Sequence, residues 1–209
     1  MRQLETRFFR SMELRLDEPE GETPKLSGYI AVFNQLSEDF GGWREQIAPG
    51  AFADSIARDD IRGLWNHDSD LVLGRLQSGT LALREDETGL AFENSPPDTT
   101  WFRDRLVSLR RKDVTGSSFG FYTDEDEWKE TPQEDGTRMK LRTLKKLTLV
   151  EVSPGVTFPA YPQTSTEAAQ RSMTAWIEME KARGTGHTAA DLVGMDLRRR
   201  RLQLQRQVL

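Results

Sequence analysis

The 209-residue sequence contains no cysteine and only two histidines, His67 and His187. Without cysteine the chain has no disulfide, no thiolate metal site and no cysteine nucleophile. Two histidines argue against a multi-histidine zinc site, and no HExxH motif is present. No segment approaches the roughly 18 apolar residues of a membrane span, and the charged N-terminus is unlike a secretory signal. We therefore expect a soluble protein that stays where it is made.

The distribution of charge divides the chain into two parts. Residues 166–209 hold eight basic and five acidic side chains, a net charge of +3. Because the whole chain has a net charge of −5, residues 1–165 have a net charge of −8. Short β-like segments rich in glycine and proline end at the same boundary, and helical spacing begins. The sequence predicts a folded domain over residues 1–165 and a helical, basic C-terminal tail over residues 166–209.

Hydrophobic patterning predicts the fold class. Alternating or short apolar segments indicate strands at residues 12–16, 26–33, 43–47, 61–65, 71–76, 80–84, 90–93, 114–122, 125–130, 138–142 and 144–152. Helical spacing indicates one helix carrying Phe52 and Ile56, and another carrying Phe102, Leu106 and Leu109. Because hairpin turns join most of the strands, we expect an α+β fold: a mostly antiparallel β-barrel with peripheral helices.

Two adjacent serines are candidate nucleophiles. Successive strand residues face opposite sides, so Ser117 shares a face with Phe119 and Phe121, whereas Ser118 shares the other face with Gly120. The apolar face belongs to the core, and a glycine beside a serine leaves space above the strand where a substrate backbone could approach. Ser118 is the better candidate on this argument, although most strand serines only bond to a neighbour.

A serine nucleophile needs a base and a group that orients the base. His67 follows the apolar segment 61–65 in a turn, whereas His187 lies between glycine and threonine in the tail. Glu151 has the strand parity of Leu147 and Leu149, and a carboxylate on an apolar face needs a partner such as a charged histidine. Asp68 is a weaker candidate because it neighbours His67. The alternatives are a surface turn histidine and a glutamate paired with an arginine.

Five ordered segments resemble the prohead proteases of tailed bacteriophages, over roughly residues 10–163. They are residues 33–38, the motif GWREQIAPGAF at 42–52, WNHD at 65–68 with LGR at 73–75, SFGF at 118–121 and LVEVSPGVTFPAY at 149–161. The resemblance implies a β-barrel related to the herpesvirus assembly protease. It assigns Ser118 as nucleophile, His67 as base and Glu151 as third triad member, with no metal or cofactor.

The same resemblance implies a biological setting. The enzyme would be a serine endopeptidase of capsid maturation in the host cytoplasm, inside the procapsid. It would cleave the scaffold or delta segment of the major capsid protein and also itself, and a dimer or larger oligomer is expected. No membrane is implied as a partner, and the acidic body argues against nucleic acid.

Two rival interpretations remain. The chain could be a catalytically inactive capsid-assembly or scaffold interaction protein in which the tail is the functional part. The basic run 198–201 is explained by a solvated helix face, by contact with an acidic partner or, least well, by nucleic-acid binding.

Overall fold

The computed structural model describes residues 3–10, 14–21, 23–132 and 138–156, together with Thr174 and Glu178, which are helical. Ten strands and two helices lie within the described ranges between residues 3 and 156. The strands are β1 (Glu5–Arg10), β2 (Arg15–Asp17), β3 (Lys25–Val32), β4 (Trp43–Ile47), β5 (Arg62–Trp65), β6 (Asp68–Arg75), β7 (Leu81–Glu85), β8 (Gly89–Asn94), β9 (Gly116–Pro132) and β10 (Arg138–Val156). The helices are α1 (Ala53–Arg58) and α2 (Thr100–Arg110). The expected tail, residues 166–209, and the boundary at 165 lie outside the described residues except for those two positions.

The strands form two sheets. One has the order β1-β9-β10-β5-β6, with β4 also paired to β10, and the other has the order β2-β3-β8-β7. The second sheet is antiparallel throughout, but β10 runs parallel to β4 and β5. The prediction of a mostly β protein with two helices is confirmed. The prediction of mostly antiparallel pairing is also confirmed, since six of the eight strand pairs among the described residues are antiparallel. The predicted single barrel is corrected to a mixed half-barrel sheet and a separate antiparallel sheet.

The core lies between the sheets and the two helices. The predicted stripe of α2 is confirmed, because Phe102, Leu106 and Leu109 are all buried. Phe119 and Phe121 of β9 are fully buried, and Phe52 packs edge-on against Phe119 with ring centroids 5.4 Å apart. The face of β9 that carries Ser118 is therefore the face turned away from this aromatic core.

Strand β1 was not predicted, because its inward side chains are charged. Glu5 and Arg7 are 2% and 7% exposed, and both point toward a buried cluster of charges. Arg7 donates to both carboxylate oxygens of Glu45 and to Glu5. Arg142 of β10, which is 1% exposed, donates to Glu5, Glu45 and Asp126. We call these five residues the ionic cluster; it joins β1 to β4, β9 and β10.

Mutual compensation keeps the ionic cluster charged. Burial raises the pKa of Glu5, but Arg7 and Arg142 outweigh that effect and hold this pKa below its usual value. Burial lowers the pKa of Arg142, and the carboxylates of Glu45, Glu5 and Asp126 more than reverse the shift, so that it lies above the ordinary arginine value. The edge strand β1 is therefore anchored by charges whose loss would be costly.

Candidate active site

His67 occupies a tight turn between two paired strands. Trp65 of β5 pairs with Asp68 of β6, so Asn66 and His67 form the two-residue loop of this hairpin. Both have positive φ angles, 52° for Asn66 and 63° for His67, as in the primed turns that match the twist of a hairpin. The second position of such a turn is usually glycine. The imidazole is thus held on a rigid hairpin in a backbone conformation that few non-glycine residues adopt.

The His67 ring and the Glu151 carboxylate lie within hydrogen-bond distance of each other. The distance between His67 Nδ1 and Glu151 Oε1 is 2.7 Å, and the two side chains are 26% and 11% exposed. The strand parity expected for Glu151 is wrong, because β10 has a register shift between Leu149 and Glu151. Leu149 lies opposite Phe121 on the core side, whereas Glu151 lies opposite Gly120. This bulge turns the carboxylate out of the core and toward His67.

Gly120 lies directly beneath the Glu151 carboxylate. A Cβ atom on Gly120 would come within 2.8 Å of Oε1 and 3.4 Å of Cγ. The space above this strand position was expected to admit a substrate backbone, and this expectation is corrected. The absence of a side chain at residue 120 instead makes room for Glu151.

Ser118 lies two residues before Gly120 on the same face of β9. It is opposite Ser153 of β10 and opposite Phe8 of β1. Its side chain is fully buried, and Oγ donates a 2.8 Å hydrogen bond to the carbonyl oxygen of Arg7. The neighbouring Ser117 faces the core, where its hydroxyl is buried without a partner among the described residues.

The structure thus brings together two of the three predicted site residues in a hydrogen-bonded pair. His67 Nε2 is buried and bonds to no other described residue, so Ser118 and His67 are not hydrogen-bonded in this arrangement. Asp68, the weaker candidate, is exposed and accepts the backbone N–H of Asp70 instead. His187 lies outside the described residues.

Ser153 also belongs to the candidate site, although the sequence analysis does not single it out. Its hydroxyl donates to Glu151 Oε2 at 2.7 Å and accepts the backbone N–H of His67 at 3.0 Å. The side chain is fully buried. The signal was present in the sequence, because Ser153 is two residues from Glu151 and a strand places such residues on one face.

An open cleft of about 390 Å³ adjoins the His67 turn. Its walls include Trp65, Asn66, Asp68, Leu71, Arg105 and Val114. The Arg105 guanidinium lies over the Trp65 ring, 6.0 Å from its centroid. Both apolar and charged side chains line the cleft, a combination that could accept a side chain of a bound peptide.

The described residues include neither a metal-binding cluster nor a membrane-spanning helix. They contain no group of three or more histidine, aspartate or glutamate side chains arranged to hold a metal ion. None of their helices is long and apolar enough to cross a bilayer.

Comparison with known proteins decides the family. Residues 10–178 match the family model described as caudovirus prohead serine protease. The chain belongs to the caudovirus prohead serine protease family. This family member has no significant match among curated proteins. A solved structure similar to it is the capsid assembly protease gp21 of bacteriophage T4, with 11% identity and a TM-score of 0.44, covering 76% of this chain and 99% of that one.

Proposed function

We propose that this prohead serine protease is an active endopeptidase in which Ser118 is the nucleophile, His67 the general base and Glu151 the third member of the triad. The observation that carries the proposal is the 2.7 Å hydrogen bond between His67 Nδ1 and Glu151 Oε1, next to the face of β9 that bears Ser118. An ionised carboxylate on Nδ1 keeps the proton there and leaves Nε2 as the acceptor that a base requires.

The chemistry begins with a change in the partner of Ser118. Its hydroxyl leaves the Arg7 carbonyl by rotation about χ1 and donates to His67 Nε2, which has no hydrogen-bond partner among the described residues. As Oγ attacks the peptide carbonyl, its proton passes to Nε2, and Glu151 stabilises the imidazolium that forms. The imidazolium then protonates the leaving amine, and an acyl-enzyme remains. Water, deprotonated by His67, hydrolyses the ester and restores Ser118.

The proposed substrates are proteins of the assembling phage head. Family membership supports the scaffold or delta segment of the major capsid protein as substrate, cleavage of the protease itself, and action inside the procapsid. We also propose that residues 166–209, whose net charge of +3 sets them apart from residues 1–165 at −8, are a separate basic segment that docks on the scaffold.

The rival function is that of a catalytically inactive assembly protein. The observation in its favour is that Ser118 is buried and bonded to the Arg7 carbonyl instead of His67. An active enzyme has to break this bond, whereas an inactive one keeps it as part of the sheet. The two functions therefore differ in whether the Ser118 hydroxyl ever becomes reactive.

A substrate-independent measurement separates the two functions. The purified full-length chain, Ser118→Ala and Ser117→Ala are treated with a fluorophosphonate, which phosphonylates activated serines, and their intact masses are compared. Ser117→Ala is the matched control because it removes the adjacent hydroxyl, which has no partner among the described residues. Labelling of the unchanged chain and of Ser117→Ala, but not of Ser118→Ala, is the expected result.

The same three proteins are then incubated with the capsid precursor of the same phage. Fragments that form with the unchanged chain and with Ser117→Ala, but not with Ser118→Ala, would identify the substrate and its cleavage sites. Labelling that persists in Ser118→Ala would overturn the assignment of the nucleophile. Neither labelling nor cleavage, with the precursor bound equally by all three, would favour the inactive assembly protein.

A further inference from the structure

We propose that Ser153 is a positioning residue of this protease, which holds His67 and Glu151 in register through a single hydroxyl group. The inference rests on the proposed function, because it concerns the base and the third triad member named there. Ser153 does not touch the reacting atoms; it acts through the two residues that do.

The hydroxyl proton of Ser153 can point in only one direction, toward Glu151. A backbone N–H only donates, so the 3.0 Å contact from His67 N requires the Ser153 oxygen to accept. The one hydroxyl proton is then left for Glu151 Oε2, 2.7 Å away. An ionised carboxylate only accepts, which fits this arrangement.

The other oxygen of the Glu151 carboxylate contacts the His67 ring. With Oε2 engaged by Ser153, Oε1 is the oxygen that faces His67 Nδ1 at 2.7 Å. An ionised Glu151 therefore fixes the neutral imidazole with its proton on Nδ1 and its lone pair on Nε2. The contacts close a ring from the His67 backbone through Ser153 and Glu151 to the His67 side chain, so that backbone and imidazole are fixed together.

The backbone conformation of the His67 turn needs contacts that maintain it. Asn66 and His67 both have positive φ, a conformation that costs free energy for an L-residue such as histidine and less for asparagine. Such a cost persists where surrounding contacts enforce the conformation. The bond from His67 N to Ser153 is such a contact, and it comes from β10, the strand that also carries Glu151.

Burial makes the hydroxyl hard to replace. Ser153 is fully buried, so water cannot readily substitute for its oxygen. In Ser153→Ala the buried Glu151 Oε2 and the part-buried His67 N–H both lose their partner, which is the costly way to remove a hydrogen bond. Ser153→Thr keeps the hydroxyl, and Ser153→Cys keeps the size with a weaker donor and acceptor.

The test measures which ring nitrogen of His67 carries the proton. The full chain is labelled with ¹⁵N-histidine, the single other histidine is removed by His187→Gln to assign the signals, and ring nitrogen shifts and the downfield Nδ1–H resonance are recorded. The chain before further substitution should show the Nδ1–H tautomer. Ser153→Ala should populate the Nε2–H tautomer and lose the downfield resonance, whereas Ser153→Thr, or Ser153→Cys if the added methyl disturbs the fold, should retain both in larger part.

Activity supplies the second readout. Ser153→Ala should lower kcat for a cleaved peptide by about 10- to 100-fold with little change in KM, as expected for a group that orients a catalytic residue. Circular dichroism separates this effect from loss of fold. An unchanged tautomer, resonance and kcat in folded Ser153→Ala would overturn the proposal. If Ser118→Ala keeps full activity while Ser153→Ala still shifts the tautomer, the proposed nucleophile fails and the positioning role stands.

Discussion

The Cα of Gly120 lies beneath the carboxylate of Glu151, and a Cβ added at this position would come within 2.8 Å of Oε1. We expect Gly120→Ala to push Glu151 out of hydrogen-bond reach of His67 Nδ1. Activity should then fall by roughly 100-fold, the scale of a misplaced catalytic group. Peptide hydrolysis by Gly120→Ala and by the control Ser117→Ala on the same strand would be compared. Equal activity of the two variants would mean that Glu151 has room to move or is not required.

Replacement of the Glu151 carboxylate by an amide should reverse the tautomer of His67. In Glu151→Gln the Ser153 hydroxyl can still donate to the amide oxygen, which leaves the amide NH₂ facing Nδ1. The imidazole would then carry its proton on Nε2 and could not act as a base. We expect kcat to fall on the order of 10³- to 10⁴-fold, as for the equivalent change in other serine protease triads. Single-turnover kinetics would measure it, and a loss below tenfold would contradict the role given to Glu151.

Removal of one cation from the ionic cluster should destabilise the fold. Arg142→Met leaves Glu5, Glu45 and Asp126 with one buried arginine, and breaking such a cluster costs about 3–5 kcal/mol. The matched control is Arg138→Met on the same strand, where an exposed arginine pairs with Glu130 and the expected cost is below about 1 kcal/mol. Urea unfolding of both variants measures the difference. Equal stabilities would mean that apolar packing holds β1 in place without the charges.

The free energy of unfolding should depend on pH because of the ionisation of Glu5. Its pKa is lower in the folded chain than in the unfolded chain, so its contribution is complete above the unfolded value and is lost as the pH falls through the folded value. We expect Glu5→Gln to be less stable at pH 7 and the gap to the unchanged chain to narrow below about pH 4.5. Urea unfolding from pH 7 to pH 3 would test this, with exposed Glu20→Gln as control. A gap that widens in acid would contradict the sign.

The local setting of the proposed site residues was easier to predict than the strands around them. His67 in a turn and Ser118 opposite the aromatic face were both predictable, because strand alternation and turn chemistry are local properties. Regular alternation with Leu147 and Leu149 would place Glu151 on the core face, but the bulge at Val150 places it on the opposite face. A bulge leaves no mark in the hydrophobic pattern of a sequence. Strand β1 escaped prediction because it buries Glu5 and Arg7, the reverse of the usual pattern.

The partners of Ser153 could not be predicted for a different reason. One of its hydrogen bonds goes to the backbone of His67, which lies 86 positions away in the chain. Sequence distance and residue type carry no information on such a contact. It arises because β5 runs parallel to β10, with Glu151 beside Arg62 and Val152 beside Gly63, a pairing that the expected antiparallel barrel did not include.

Strand β9 has a hydrogen-bonded neighbour on each side of Ser118: Phe8 of β1 on one side and Ser153 of β10 on the other. A peptide therefore cannot reach this serine by extending the sheet at that strand, as it does in proteins that bind peptides along a free edge. The proposed substrate therefore has to approach Ser118 from the face of the sheet. Selection among peptides would then depend on the shape of the surface around the His67 turn, so sequence preference should be most easily altered by changing that rim.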